Sequence, residues 1–157
     1  MSDLFSKLQP NNGYVIAEIA CGHEGDPKKL KKLIDCVVDS ECQIIKFQIF
    51  KTFERAIKGH KEWDIFSKLE LSDNDWKKYI AYAKNKGLSV FADLYGHDSF
   101  SLAKKLNIDG YKIHSEDLLN TQFILEVCKS KKIVMTDEEN KLFGIEKLNI
   151  KRSEIPA

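Results

Sequence analysis

Charged and strongly polar side chains recur near the ends of apolar runs in this sequence, where buried strands ordinarily carry few. Glu18 lies in the run Tyr14 to Ala20, and Lys46 and Gln48 in the run Gln43 to Ile49. Asp93 lies near the end of Leu88 to Leu94, Lys112, His114 and Ser115 occupy Tyr111 to Ser115, and Thr136 closes Lys132 to Thr136. Strands of a parallel sheet are buried on both faces and usually read as continuous apolar stretches. Burying a lysine or a carboxylate is costly unless it is paired, so repetition at one end of successive strands points to a site. Lys46 and Gln48 are two residues apart and share a face, as do Lys112 and His114. Two cations flanked by one or two carboxylates suit an anionic substrate. The lysines neutralise phosphate or carboxylate, while a carboxylate such as Glu18 positions or deprotonates a sugar group. A plainer reading stays open, in which Glu18 and Lys46 form a buried ion pair that only fixes strand register.

These residues need a scaffold, and the chain supplies alternating elements. After the first run, Asp26-Pro27 reads as an N-cap with proline at the first helical position. Leu30, Leu33, Ile34, Val37 and Val38 then recur on one helical face. Lys28, Lys29, Lys31 and Lys32 alternate with them as a solvated face. Residues 50–70 hold Phe53, Trp63, Phe66 and Leu69 without a clean period, which predicts an elaborated loop of the kind that often faces substrate. Ser72 followed by Asp75 resembles a capping box, and Trp76, Tyr79, Ile80 and Ala83 form the buried stripe of a helix ending near Gly87. A short helix around Asp98 to Leu106, a turn at Asp109-Gly110 and a helix carrying Phe123, Ile124, Val127 and Cys128 complete the pattern. Strict β/α alternation predicts a parallel sheet covered by helices. A barrel and an open doubly wound sheet both satisfy it. In either, ligands bind at the carboxyl ends of the strands, where these polar residues lie.

Composition narrows the class. The 157 residues are 43% hydrophobic and 31% charged, with a formal net charge of +1, as expected of one globular domain and not of a nucleic-acid or acidic-membrane binder. Cys21, Cys36, Cys42 and Cys128 form neither a disulfide framework nor a zinc motif, so reduced thiols and a cytoplasmic location are expected. The segment Met1 to Pro10 lacks the apolar core of a signal peptide, and no apolar run approaches the roughly 20 residues of a membrane span.

Four segments together resemble the sialic acid synthase (N-acetylneuraminate synthase) family. Ala17-Glu18-Ile19-Ala20-Cys21-Gly22-His23-Glu24-Gly25-Asp26 is similar to that family's opening A-E-I-G-x-N-H-N-G-D. Lys46-Phe47-Gln48 looks like its K-F-Q, and Leu71-Ser72-Asp73 through Trp76 resembles its S-x-x-x-W helix start. Tyr111-Lys112-Ile113-His114-Ser115-Glu116-Asp117-Leu118 resembles Y-K-I-A-S-G-D-L. The match runs in order from Tyr14 to Thr136. It implies a TIM-type (β/α)8 barrel, of which this chain would hold about five βα units with parallel strands, as one incomplete domain over residues 1–157 without the family's C-terminal antifreeze-like domain. It also implies a transferase reaction of carbohydrate biosynthesis, in which C3 of phosphoenolpyruvate attacks the C1 aldehyde of an N-acetylated amino sugar to give a nonulosonic acid. A divalent metal (Mn or Mg) polarises that aldehyde in the family. By position, Lys46, Lys112 and Ser115 would hold phosphoenolpyruvate, Glu18, Gln48 and Asp117 would face the sugar or the reacting centre, and Thr136 would add a substrate-binding hydroxyl.

The departures set further expectations. Phe91-Ala92-Asp93-Leu94-Tyr95 stands where relatives have F-S-T-P-F, and Asp93 would repel phosphate unless a metal or lysine compensates. Met135-Thr136-Asp137 replaces S-T-G, Glu24 replaces an asparagine, and His114 replaces a small residue. His114 then reads either as a satisfied core histidine or as a partner for Asp93. The family's metal-binding histidines lie on later strands, and His23, His60, His97 and His114 do not match them, so the metal ligands are expected to be absent. Ser153-Glu154-Ile155-Pro156-Ala157 is faintly like the family's sixth-strand T-S-E-Y-P-A. Five strands cannot close an eight-stranded barrel, which predicts open edges at the first and fifth strands and a partial barrel that is either poorly stable alone or self-associating. The missing metal ligands and half-site predict inactivity of the isolated chain. Two rival functions follow: a non-catalytic remnant or accessory subunit binding a sugar phosphate or a partner, and a Schiff-base aldolase using Lys112.

Overall fold

The structure is a computed structural model and describes residues 15–130 and 132–136. Tyr14, Asp137 and the segment 148–157, which carry parts of the sequence reading, lie outside the described residues. Five strands run in chain order: β1 (Ile16–Ala20), β2 (Ile44–Ile49), β3 (Ser89–Leu94), β4 (Gly110–Ile113) and β5 (Ile133–Thr136). All four pairings are parallel, and the spatial order is the sequence order.

That order decides between the two architectures left open by periodicity. A doubly wound sheet reverses direction at a switch point and carries helices on both faces. Among the described strands the order never reverses, and the strand residues that join the core with the helices share one face. The side chains of Ile45, Phe47, Ile49, Val90, Ala92, Leu94, Tyr111 and Ile113 join a single core with helices α1 (Pro27–Asp39), α4 (Asp73–Asn85), α5 (His97–Lys105) and α6 (Thr121–Lys129). The intervening residues Ile44, Lys46, Gln48, Phe91, Asp93 and Lys112 therefore belong to the opposite face, which is the inner wall of a (β/α) barrel.

Local chemistry sets the helix starts. The Asp26 side chain accepts from the Lys28 amide at 2.8 Å, and Pro27 opens α1. Leu30, Ile34 and Val37 are buried, while Lys28, Lys29, Lys31 and Lys32 are exposed, as the spacing predicts. The Ser72 hydroxyl caps α4 through the Asp75 amide at 3.1 Å, and Trp76, Tyr79, Ile80 and Ala83 are buried from that helix.

Two readings of the sequence are corrected. Residues 50–70 are not an irregular loop but contain α2 (Thr52–Arg55) and α3 (Trp63–Leu69). Helices this short show no periodicity, and tertiary contacts hold them. Phe50 meets Phe66 edge-on at 5.7 Å, and Glu70 accepts from the Thr52 amide at 2.8 Å and hydroxyl at 2.6 Å. Asp109-Gly110 is not a free turn. Gly110 begins β4 beneath the Phe91 ring, where a Cβ would lie 2.6 Å from the ring carbon Cζ, and Asp109 accepts from the Val90 amide at 2.8 Å.

Candidate active site on the inner face

The register brings the predicted residues together. Glu18 pairs with Lys46 across β1 and β2, Gln48 with Asp93 across β2 and β3, and Asp93 with Lys112 across β3 and β4. Parallel pairing at matched positions thus sets two carboxylates and two ammonium groups side by side at the carboxyl end of the wall.

Each cation has its own carboxylate. The Lys46 ammonium is ion-paired with Glu18 Oε2, with Lys46 nearly buried and Glu18 39% exposed. Glu18 Oε1 accepts from the Ala20 amide at 3.0 Å, across the irregularity where β1 leaves strict register. The Lys112 ammonium lies 2.9 Å from Asp93 Oδ2, and Asp93 is 1% exposed. Burial pushes the Asp93 carboxyl above its ordinary range, against the opposing pull of Lys112, Lys46 and His114. Lys112 is therefore the lysine that compensates Asp93. Between the two pairs, Gln48 Oε1 accepts from the Cys21 thiol at 3.3 Å, and burial keeps that thiol protonated by raising its pKa.

The remaining predicted residues fall further out. Ser115 opens a 3-10 turn, Ser115–Asp117, immediately beyond β4. Asp117 lies in that turn, its carbonyl accepting from the Asn120 amide at 2.9 Å. Burial raises the Asp117 carboxyl, with the Asn120 side chain opposing. Thr136 is registered opposite Ile113, and Met135 opposite Lys112. His114 does not pair with Asp93. It lies over Tyr95 with ring centroids 4.7 Å apart, and its Nδ1 is 3.8 Å from Glu116. Among the described residues no three His, Cys, Asp or Glu side chains converge to hold a metal ion. The described residues by themselves therefore supply no such ligand set.

Sequence reasoning missed Arg55. Its guanidinium stands 4.1 Å from the Tyr95 ring centroid and 4.8 Å from that of Phe66, with Nη1 2.7 Å from Glu116. It therefore ties the segments that follow β2, β3 and β4. Nothing in its local spacing marks it, because the one-turn helix bearing it has no apolar stripe.

The motif segments also meet in space. Buried His23 packs edge-on against Trp76 at 5.8 Å, and Phe47 does so at 5.6 Å. His23 Nδ1 accepts from the Gly25 amide at 3.0 Å. Burial lowers its pKa, which favours the neutral ring in the loop after β1. No helix among the described residues is long and apolar enough to cross a membrane.

Comparison with known proteins agrees with this geometry. The chain is 27% identical over 152 residues to the N,N'-diacetyllegionaminic acid synthase of Campylobacter jejuni, covering 87% of this chain and 46% of that protein. It is 25% identical to a pseudaminic acid synthase of the same species, covering 84% and 44%. The chain thus spans about half the length of the curated relatives it matches. Its fold superimposes on an N-acetylneuraminic acid (sialic acid) synthetase from Leptospira borgpetersenii with a TM-score of 0.76 at 23% identity, covering 92% of this chain and 48% of that one. Residues 33–137 match the NeuB family, and the chain belongs to it.

Proposed function

We propose that this chain provides the β1–β5 wall of a nonulosonic acid synthase, which condenses phosphoenolpyruvate with an N-acetylated amino sugar. The observation that carries the reading is the adjacency of the Glu18–Lys46 and Asp93–Lys112 pairs on the inner face of the sheet. Lys46 and Lys112, with Ser115 beyond β4, bind the anionic groups of phosphoenolpyruvate. Glu18, the more exposed carboxylate, and Gln48 face the sugar. There Glu18 accepts or orients a proton as C3 of phosphoenolpyruvate attacks the C1 aldehyde. Asp117 and Thr136 belong to the rim of the same site. A polypeptide of these residues alone binds substrate without turning it over, because five strands enclose only part of a barrel interior.

Thermal unfolding with and without phosphoenolpyruvate tests this, in the wild type and in Lys46→Ala, each with and without manganese. Ligand at a hundred times its dissociation constant stabilises by about 2.7 kcal/mol, which raises Tm by roughly 5–11 °C in a domain of this size. The rise is expected in the wild type and should vanish in Lys46→Ala. A cooperative wild-type transition that phosphoenolpyruvate never moves would sink the proposal.

A further inference from the structure

Asp93 is almost completely buried, and its environment leaves it one strong partner. Its Oδ2 accepts from the Lys112 ammonium at 2.9 Å, whereas Oδ1 is buried without a hydrogen bond. The other charged and titratable groups facing it come from every neighbouring element. Lys46 on β2 is already paired with Glu18 on β1, His114 follows β4, and Tyr95 follows β3 beneath Arg55. A carboxylate in such surroundings stays ionised only while a cation neutralises it. An anion that recruits the Lys112 charge removes that neutralisation.

We propose that anion capture by Lys112 is coupled to the uptake of one proton from solvent, held at Asp93. The inference rests on the reading of Lys112 as an anion-binding residue. In the free protein the pair is a carboxylate and an ammonium. In the complex the ammonium faces the ligand, and Asp93 is a neutral acid whose O–H stays beside it. No bond other than O–H forms or breaks, and the solvent supplies the proton. The direction agrees with the burial-raised pKa of Asp93.

Calorimetric titration of the 157-residue chain with phosphoenolpyruvate, in two buffers of different ionisation enthalpy, counts the protons. The work is done above pH 7.5, where a phosphate ester with a second pKa of about 6 is fully ionised. About one proton per ligand is expected in the wild type, with affinity falling about ten-fold per pH unit. Asp93→Asn, with Asp93→Ser as a second variant in case the first misfolds, should bind without proton uptake and with a flat pH profile. His114→Gln, a change at a neighbouring side chain, should keep the uptake. Wild-type binding without proton uptake, or uptake that survives both Asp93 variants, overturns the inference and leaves Lys112 as an anion holder. If Lys112→Met binds as tightly as the wild type, or if the wild type binds no phosphoenolpyruvate, the underlying reading of Lys112 falls as well.

Discussion

Gly25→Ala should be far more damaging than a glycine change at a helix end, and the structure says by how much. Gly25 has φ +76°, and a Cβ there would lie 1.9 Å from the Lys68 carbonyl oxygen and 3.0 Å from its carbon. Gly87, at the end of α4, has φ +90° with nothing within 4 Å of its Cβ position. Both substitutions incur the left-handed backbone penalty of roughly 1–2 kcal/mol. Only Gly25→Ala must also push a backbone carbonyl back by roughly 1.5 Å, an overpacking cost of about 1–3 kcal/mol. The shift also strains the bond from the Gly25 amide to His23 Nδ1, worth roughly 0.5–1.5 kcal/mol. The sums are about 1–2 kcal/mol for Gly87→Ala and about 2.5–6.5 kcal/mol for Gly25→Ala, or Tm losses of roughly 2–8 °C and 5–26 °C. Urea unfolding of both variants beside the wild type measures the difference directly. A gap smaller than about 1 kcal/mol would refute the claim that the loop after β1 is locked against the end of α3.

Three other outcomes are expected. Glu54 Oε1 accepts from the Asp98 and Ser99 amides at 2.9 and 3.0 Å, capping α5 from another helix, so Glu54→Ala should cost about 1–2 kcal/mol in urea unfolding, with no loss ruling the cap out. Burial pushes Glu70 up, but the Thr52 hydroxyl and amide and the Lys51 ammonium outweigh it and hold its carboxyl below 4.5. A depressed carboxyl stabilises above its unfolded value and loses that contribution as pH falls through its folded value. Glu70→Gln should therefore be less stable than wild type at pH 7, with the gap closing in acid. A gap unchanged from pH 7 to pH 3 would contradict the assignment. Finally, β1 and β5 are the edges of the described sheet, so sedimentation at increasing concentration should show self-association, and a single monomeric species throughout would count against it.

Much of the fold could be read from local signals. The caps at Asp26 and Ser72 and the buried stripes of α1 and α4 are decided within one or two turns by side chains a few residues apart, so sequence spacing suffices. Strand order was beyond its reach, because β/α alternation is common to barrels and doubly wound sheets, and pairing is a long-range choice. Residues 50–70 were misread for a related reason. Helices of one and two turns gain little from their own periodicity, and α2 and α3 are held by Phe50, Phe66, Glu70 and Thr52 across the chain. Gly110 was misread because its reason is a ring on the neighbouring strand rather than a turn.

The same limit applies to the site. Alternation alone put Lys46 with Gln48 and Lys112 with His114 on common faces, and the inner wall carries Lys46, Gln48 and Lys112. It could not show which carboxylate each lysine would meet. Asp93 read as an obstacle to phosphate, yet register sets it directly opposite Lys112, where the pair is formally neutral. The two rows Glu18–Lys46 and Asp93–Lys112 thus carry balanced charge, but they differ in exposure. Glu18 is open enough for water to screen it if Lys46 turns to a ligand, whereas Asp93 has no such relief. Recruiting Lys46 therefore leaves behind a carboxylate that water reaches, while recruiting Lys112 strands a buried one. This asymmetry follows from one strand position, and it distinguishes the two lysines that the sequence presented as equivalent.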